Sequence, residues 1–163
     1  EVFRFVAQPL VDFTAGVQHF KDYVHVGIAV DTDYGLLVPV LKNVDRKPVL
    51  QLADELTDLA LRTRDKKVKP EELKGAGFTI SNLGGIGGTG FTPIINWPQV
   101  AILGVARSQQ RYVPGPDGAP VFRSFTPLCL SYDHRVVDGA LAARFLSTLR
   151  QLLEDPTRLL FEV

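Results

Sequence analysis

The chain has 163 residues, of which 45% are hydrophobic and 22% charged, and these values predict a single globular domain. Lysine plus arginine and aspartate plus glutamate number 18 each, and the resulting net charge of zero argues against non-specific binding to nucleic acid or to an anionic membrane. No apolar run approaches the roughly 20 residues of a membrane helix, and no signal peptide is visible. The single Cys129 rules out an internal disulfide and fits a reducing compartment.

The first part of the chain predicts two strands behind an N-terminal segment of undetermined structure. Residues 1–20 have no clean hydrophobic period. Residues 23–31 are rich in β-branched side chains and residues 36–41 form a second apolar run, so we predict two strands joined by a short turn at residues 32–35. Pro39 cannot donate a hydrogen bond to a neighbouring strand and should therefore lie at a sheet edge or a bulge.

A first helix is predicted after Pro48, a residue that suits the first turn of a helix. The helix should end at residues 65–67, where lysines favour the C-terminal end of the helix dipole, and residues 70–73 should form a further short turn. Its apolar residues recur at spacings of three and four, as on one face of a helix. They are Leu50, Ala53, Leu56, Leu59 and Ala60.

The second half of the chain predicts three more strands and a C-terminal helix. Strand patterns cover residues 77–85, 99–107 and 126–133, and residues 109–125 look like a hairpin or a loop. Residues 140–156 form a strongly amphipathic pattern that Pro156 ends. The apolar stripe of this helix consists of Leu141, Phe145, Leu149 and Leu152. The order of elements predicts a mixed α/β or α+β domain with a substantial sheet.

The glycine-rich segment 84–93 contains the spacing G-x-G-x-x-G, which also occurs in dinucleotide-binding proteins. That motif must open a helix and be followed by an acidic residue about 20 positions later. Here Pro93 prevents a long helix, and the nearest downstream acid, Asp117, is too far away. We therefore predict a loop whose glycines permit positive φ or a close backbone approach.

Three residues of reactive types have plainer explanations. Cys129 lies in an apolar strand pattern with no basic residue nearby in sequence, so it is expected to be a small core residue. His19 and His25 have no second ligand at metal spacing and are expected at the surface or at an interface. The sequence predicts no metal site.

His134 lies where a strand pattern ends and a helix pattern begins, a position from which a side chain can project into a cleft. An imidazole there could act as a general base on a thiol or a hydroxyl, and Ser81 is a candidate to stabilise the oxyanion. Equally, Asp133 or Asp138 could cap the helix and Arg135 could form an ordinary ion pair. Spacing alone leaves both readings open.

Several segments together resemble the dihydrolipoamide acyltransferases, the E2 cores of the 2-oxoacid dehydrogenase complexes. "SYDHRVVDGA" resembles the H-x-x-x-D-G motif of that family. "YVHVGIAVDTDYGLLVPVLKNVDRK", "GFTISNLGGIGGTGFTPIIN" and "PQVAILGV" resemble further family segments in the same order. The glycine loop is most similar to that of the acetyl-transferring member of the pyruvate dehydrogenase complex.

The resemblance implies a role for three residues. His134 matches the general base that takes the proton from the thiol of coenzyme A or dihydrolipoamide, and Ser81 matches the hydroxyl that stabilises the tetrahedral oxyanion. Asp138 matches the acid of the motif, which supports the histidine or the turn. Arg135 is expected to serve structure. Coenzyme A, acetyl-CoA and lipoamide are implied as substrates, without a metal, and the residues that contact coenzyme A are not identified.

The resemblance also implies a fold and an assembly. The expected fold is a two-layer α/β (α+β) sandwich with a mixed sheet, like that of chloramphenicol acetyltransferase. Homotrimers should place the active site between subunits and assemble into a cubic 24-mer or a 60-mer. This core would work with the lipoyl domain and the E1 and E3 components, in the bacterial cytoplasm or the mitochondrial matrix.

The resemblance predicts a boundary within the chain. Residues 1–22 match the family poorly, and residues 23–163 should be the C-terminal part of the acyltransferase domain. The N-terminal part of that domain is expected to be missing, and the lack of methionine predicts that residue 1 is not the native start. Two alternatives to an active enzyme follow, a non-catalytic E2-like structural subunit and a truncated, inactive core fragment.

Overall fold

A computed structural model describes residues 2–12 and 14–160 of the chain. Its main body is a five-stranded mixed sheet with helices packed on it. The helices are α1 (Val2–Ala7), α2 (Val49–Arg64) and α3 (Gly139–Glu154). The strands are β1 (Pro9–Asp12), β2 (Val17–Phe20), β3 (Val26–Ile28), β4 (Val30–Thr32), β5 (Gly35–Leu37), β6 (Val40–Leu41), β7 (Phe78–Asn82), β8 (Ala101–Val105), β9 (Gln109–Pro114), β10 (Pro120–Phe125) and β11 (Leu128–Tyr132). Short 3-10 turns cover Val44–Arg46, Pro70–Leu73 and Pro156–Leu160.

The main sheet has the strand order β11-β8-β7-β3-β6. The three central strands run parallel to one another, and the two edge strands run antiparallel to their neighbours. Central parallel strands are covered on both faces, which explains why β8 is an unbroken apolar run that is almost entirely buried. The predicted mixed sheet is confirmed, and so are the predicted strands that became β7, β8 and β11.

One face of the sheet forms the core with α1 and α3. Side chains of β7, β8 and β11 on this face pack against Val6 of α1 and against Ala142 and Phe145 of α3. The ring centroid of Phe145 lies 5.7 Å from that of Phe78 and 5.0 Å from that of Phe3. Leu141, Phe145 and Leu149 of the predicted α3 stripe therefore pack against the core, and the protein is a two-layer α+β structure.

The segment that was expected to form two long strands is broken into four short ones. The first predicted strand divides at Ala29 into β3, in the main sheet, and β4, which pairs with β5 in a separate hairpin. The second divides at Pro39 into β5 and β6. Because β6 is an edge strand and Pro39 lies just outside it, the prediction for this proline is confirmed.

Helix α2 matches its prediction in extent but not in its buried face. It starts directly after Pro48 and ends at Arg64, and it packs against β4 and β6. Leu59 and Thr63 are buried, whereas Leu50 is 80% exposed. The 3.6-residue period therefore identified the helix, but it did not predict that Leu50 in the first turn is exposed. Within the part of the chain that the structure describes, no helix combines the length and apolar character that crossing a bilayer requires.

The N-terminal segment, for which the sequence predicted no structure, is folded onto the domain. It contains α1 and the hairpin β1–β2, whose turn is held by Asp12 as its Oδ1 accepts hydrogen bonds from the backbone of Thr14 and Ala15. Val6 and Val11 belong to the core. The helix and the two strands of this segment could not be predicted, because they are only six and four residues long and are too short to show a hydrophobic period.

An ion-pair network joins α2 to the 3-10 turn that follows it. Arg62 lies 2.7 Å from Asp58 and 2.9 Å from Glu72, measured between nitrogen and oxygen. Glu72 also accepts a hydrogen bond from the backbone of Lys69. The hydrogen bond from Arg62 is the main cause that lowers the pKa of Glu72 from 4.5 to about 2. Both side chains remain partly exposed, so solvent weakens the pair.

Replacing Phe145 by alanine tests the core. The ring is 2% exposed, and its loss should lower the free energy of unfolding by about 3–5 kcal/mol because a cavity would remain between α3 and the sheet. Leu153→Ala, on the same helix but 60% exposed, should change it by less than about 0.5 kcal/mol. Urea unfolding of both variants checks this, and equal losses would contradict it.

The Glu72 pair predicts a pH dependence of stability. The folded-state pKa is lowered, so the contribution of Glu72 is complete above pH 4.5 and is lost as the pH falls toward about 2. The stability difference between the natural protein and Glu72→Gln should therefore shrink over that range in urea titrations. Glu71→Gln removes the same charge from the exposed side of the turn and is the control. Parallel pH curves for the two variants would rule out this role of Glu72.

Candidate active site

His134 stands on the turn between β11 and α3. The strand continues past Tyr132, because the backbone N–H of Asp133 donates to the carbonyl oxygen of Val100. The carbonyl of Asp133 then accepts hydrogen bonds from Val136 and Val137, which closes the turn around His134. The imidazole is exposed, and its centroid lies 5.8 Å from that of the Tyr132 ring. The predicted strand-to-helix position of this histidine is confirmed.

Asp133 and Arg135 form a bidentate ion pair on either side of His134 in the sequence. Arg135 Nε lies 2.9 Å from Asp133 Oδ1, and Arg135 Nη2 lies 2.7 Å from Oδ2. The backbone N–H of Arg135 also donates to Oδ1. The hydrogen bond from the guanidinium is the main cause that holds the pKa of the Asp133 carboxyl below its usual range. Both oxygens of Asp133 are thus engaged by Arg135, and the pair fixes the turn.

Asp138 caps helix α3. It is the N-cap residue, with extended backbone, and its Oδ1 accepts a hydrogen bond of 2.7 Å from the backbone N–H of Leu141. This contact stabilises the first turn of the helix and, through it, the turn that carries His134. The structure therefore gives Asp138 a clear supporting contact, while a direct catalytic role for it stays a prediction.

Ser81 lies on β7, near the end that enters the glycine-rich loop. It pairs with Gly104 of β8, and Gly104 pairs with Cys129 of β11, so these three residues form one row across the sheet. Two residues earlier on the same face, Thr79 is 1% exposed and its hydroxyl donates to Gln99 Oε1 at 2.7 Å. Ser81 itself is half-buried. The sheet face is therefore closed at Thr79 and begins to open at Ser81.

Within one chain, Ser81 and His134 lie at opposite ends of the sheet. Tyr132 pairs with Ala101, three residues along β11 from the row that contains Ser81. Three residues along a strand span about 10 Å, and the two strand spacings from β11 to β7 span about another 10 Å at right angles to it. The end of β11 is therefore about 14 Å from Ser81. The chain runs on in the same direction through Asp133 before it reaches His134. One copy therefore does not bring the predicted base, His134, and the predicted hydroxyl, Ser81, together.

The glycine-rich loop is a loop in the structure too. Gly87 and Gly88 have φ values of +122° and +103°, which side-chain-bearing residues rarely adopt. Arg107 holds the loop, since its Nε donates to the carbonyl of Gly84 and its backbone N–H donates to the carbonyl of Gly88. No helix follows the glycines between β7 and β8, so the predicted loop is confirmed.

The remaining candidates have structural surroundings. His25 Nδ1 accepts a hydrogen bond from the backbone of Asn43, and His19 is exposed on β2. Cys129, expected in the core, is half-buried in the row of Ser81. Across residues 2–12 and 14–160, no three side chains of histidine, cysteine, aspartate or glutamate are grouped so that they could hold a metal ion.

Gly104 and Phe91 lie beside Ser81, and their sequence patterns did not predict this position. Gly104 is buried in the middle of an apolar strand, and the ring of Phe91 lies against its backbone. The sequence contains a signal for this contact, because a glycine inside a strand often marks a close approach of another group. Nothing in the sequence identified Phe91 as that group.

The structure combines a two-layer α+β domain, a histidine on a strand-to-helix turn and a serine before a glycine loop. Residues 9–161 match the family model described as 2-oxoacid dehydrogenases acyltransferase (catalytic domain). The chain belongs to this family. The predicted resemblance is confirmed, and the match includes part of the N-terminal segment that had shown no motif.

Relatives with known names agree. The chain is 57% identical over 141 residues to the dihydrolipoyllysine-residue acetyltransferase component of the pyruvate dehydrogenase complex of Pseudomonas aeruginosa. The aligned segment covers 86% of this chain and 25% of that protein. The corresponding component from Azotobacter vinelandii is 56% identical over 83% of this chain and 21% of its own length. The chain therefore spans about a quarter of the length of these relatives.

Solved structures confirm the fold. A dihydrolipoamide acetyltransferase of Azotobacter vinelandii superimposes with a TM-score of 0.90 at 49% identity, covering 98% of this chain and 64% of that one. The cubic core of a pyruvate dehydrogenase multienzyme complex also gives 0.90, at 47% identity, over 98% of this chain and 66% of that one. The expected two-layer fold with a mixed sheet is thus the fold of these acyltransferase cores.

The cap predicts how Asp138 responds to substitution. Asp138→Ala should lower the free energy of unfolding by about 1 kcal/mol, because the N–H of Leu141 loses its acceptor. Asp138→Asn should retain most of that stability, since asparagine caps helices about as well as aspartate. Urea unfolding checks both variants. A loss in Asp138→Asn as large as in Asp138→Ala would show that the carboxylate charge, rather than the cap, matters.

Proposed function

We propose that this chain contributes to the transfer of an acyl group, in particular acetyl, between dihydrolipoamide and coenzyme A in a pyruvate dehydrogenase complex. The observation that carries the proposal is the family match, together with a histidine and a serine in the segments that resemble the family's motifs. The relatives at 57% and 56% identity are acetyltransferase components of such complexes. The acyl-group preference is inferred from these names and from the glycine loop.

The spacing of the candidate site residues is similar to that of three residues in a solved relative. The roles of one serine, one histidine and one asparagine in the catalytic mechanism of the Azotobacter vinelandii acetyltransferase were investigated crystallographically and enzymatically. Its histidine and asparagine are four residues apart, as are His134 and Asp138. Its serine precedes the histidine by 52 residues, and Ser81 precedes His134 by 53. An asparagine at the position of Asp138 supports a capping role, which needs no charge.

In the proposed reaction, His134 takes the proton from the thiol of coenzyme A or dihydrolipoamide. The thiolate attacks the carbonyl carbon of the partner's thioester and forms a tetrahedral oxyanion. The Ser81 hydroxyl donates a hydrogen bond to that oxygen. The intermediate collapses, the original carbon–sulfur bond breaks, and the departing thiolate recovers the proton from His134. The turn fixed by Asp133 and Arg135 holds the imidazole in place.

This reaction requires two copies of the chain. Because Ser81 and His134 lie at opposite ends of one sheet, we infer that His134 of one copy meets Ser81 of a neighbouring copy. A closed ring such as a trimer would repeat this contact at every interface. The large exposed apolar side chains of Ile86, Ile94 and Trp97 support extensive contacts with other chains. The cubic core among the solved relatives provides a precedent for higher assembly.

The chief alternative is a non-catalytic structural subunit with the same fold, or an inactive fragment of the core. His134 is intact and held in an ordered turn, which favours the catalytic reading over a purely structural one. The chain spans only about a quarter of the length of these relatives. Binding to lipoyl domains and to the E1 and E3 components is therefore part of the same proposal.

A complementation experiment tests the function and the shared site together. In the assembled protein, His134→Ala should lower the rate of acetyl transfer from acetyl-CoA to dihydrolipoamide by about 10²–10⁴-fold. Ser81→Ala should lower it by about 10²–10³-fold. Co-assembly of equal amounts of the two variants should restore about a quarter of the natural rate, because that share of random interfaces pairs an intact His134 with an intact Ser81.

His19→Ala is the matched control, since it removes an exposed histidine from β2 and should leave the rate unchanged. If His134→Ala retains the natural rate, His134 is not the base and the structural alternative gains support. If the mixed assembly is no more active than its parent variants, the site does not form between copies.

A further inference from the structure

We propose that Phe91, seated on Gly104, is the wall that limits the size of the acyl group accepted beside Ser81. The inference rests on the proposed acyl transfer and assigns a specificity-determining residue to it. It starts from the buried glycine in β8. A methyl group placed on Gly104 would lie 2.8, 3.1 and 3.2 Å from three carbons of the Phe91 ring. The ring therefore occupies the space that a side chain at position 104 would need.

The row across the sheet relates this ring to the catalytic hydroxyl. Ser81 pairs with Gly104 on the adjacent parallel strand, so the Ser81 side chain and the open side of Gly104 share one face of the sheet. Adjacent strands are about 4.8 Å apart. The Phe91 ring, which lies on that side of Gly104, is thus the apolar neighbour of Ser81 across one strand spacing.

The loop residues before and after Phe91 in the sequence are packed against the rest of the domain. Before it, a side chain placed on Gly90 would lie 3.9 Å from Cys129 Sγ, the third member of the same row. After it, Pro93 is buried. Arg107 fixes the glycine loop through its hydrogen bonds to Gly84 and Gly88. These contacts order the loop that carries the ring, so admitting a larger group would require the ring or the loop to shift.

The position of the ring determines what it contacts during the reaction. When the Ser81 hydroxyl donates to the oxyanion, the acyl carbon lies within about 4 Å of the serine oxygen. A substituent on that carbon that points toward β8 enters the single strand spacing between Ser81 and Gly104, on the side where the Phe91 ring lies. A methyl substituent fits beside the ring, whereas a propyl substituent would meet it.

The test compares acyl groups rather than overall rates, since a merely structural defect would lower all rates alike. The readout is the kcat/KM for butyryl-CoA divided by that for acetyl-CoA, measured in the assembled protein with dihydrolipoamide. Phe91→Ala should raise this ratio at least about 10-fold, in line with the discrimination that apolar pockets show per methylene group. Phe91→Leu should raise it less. Phe122→Ala removes an exposed ring from β10 and should leave the ratio unchanged.

Substitution of Gly104 provides a second, independent test. Gly104→Ala should displace the ring and lower the kcat/KM for acetyl-CoA, because the new methyl group meets Phe91 at 2.8 Å. The double variant Gly104→Ala/Phe91→Ala should recover most of that loss, since the clash partner is gone. Strong coupling between two substitutions is the expected result for residues in direct contact.

An unchanged butyryl-to-acetyl ratio in both Phe91 variants would overturn the inference, as would a change in the KM for dihydrolipoamide with no change in that ratio. Additive losses in the double variant would also overturn it. These outcomes differ from failure of the proposed function, in which the natural protein would show no acetyl transfer that depends on His134.

Discussion

The antiparallel pairing of β11 with β8 is the constraint on which the rest of the site depends. It makes β11 run against β7, so that the chain leaves the sheet at the end remote from Ser81. The histidine and the serine therefore lie at opposite ends of the same sheet. An active site built from both must be assembled from separate copies, and the large apolar side chains exposed on the surface fit such an assembly.

Local contacts around the histidine serve this arrangement. The Asp133–Arg135 pair and the Asp138 cap act on consecutive parts of one short turn, and each uses a carboxylate to satisfy backbone N–H groups. Neither acid is placed as the third member of a protease-like triad. The turn that carries His134 is instead held by backbone and carboxylate hydrogen bonds, and the exposed imidazole can face a neighbouring copy.

Much of the fold could be predicted from the sequence, because long elements have clear periods. Helix α3 and strands β7, β8 and β11 were located from their apolar patterns. The short N-terminal elements and the division of the strands around Ala29 could not be, since a few residues carry no period and their positions depend on tertiary contacts. The same limit applies to the site. His134 and Ser81 were identified by type and motif, whereas their separation follows only from strand register.

The separation of the two groups has a genetic consequence. A copy that lacks both His134 and Ser81 would contribute a defective half to the interface on each of its sides. In a mixed assembly, the intact Ser81 of one neighbour and the intact His134 of the other would each lose their partner group. A mutant allele of this kind should therefore act dominantly. A copy that lacks only one of the groups would affect a single interface, and its allele should be milder when the natural gene is also expressed.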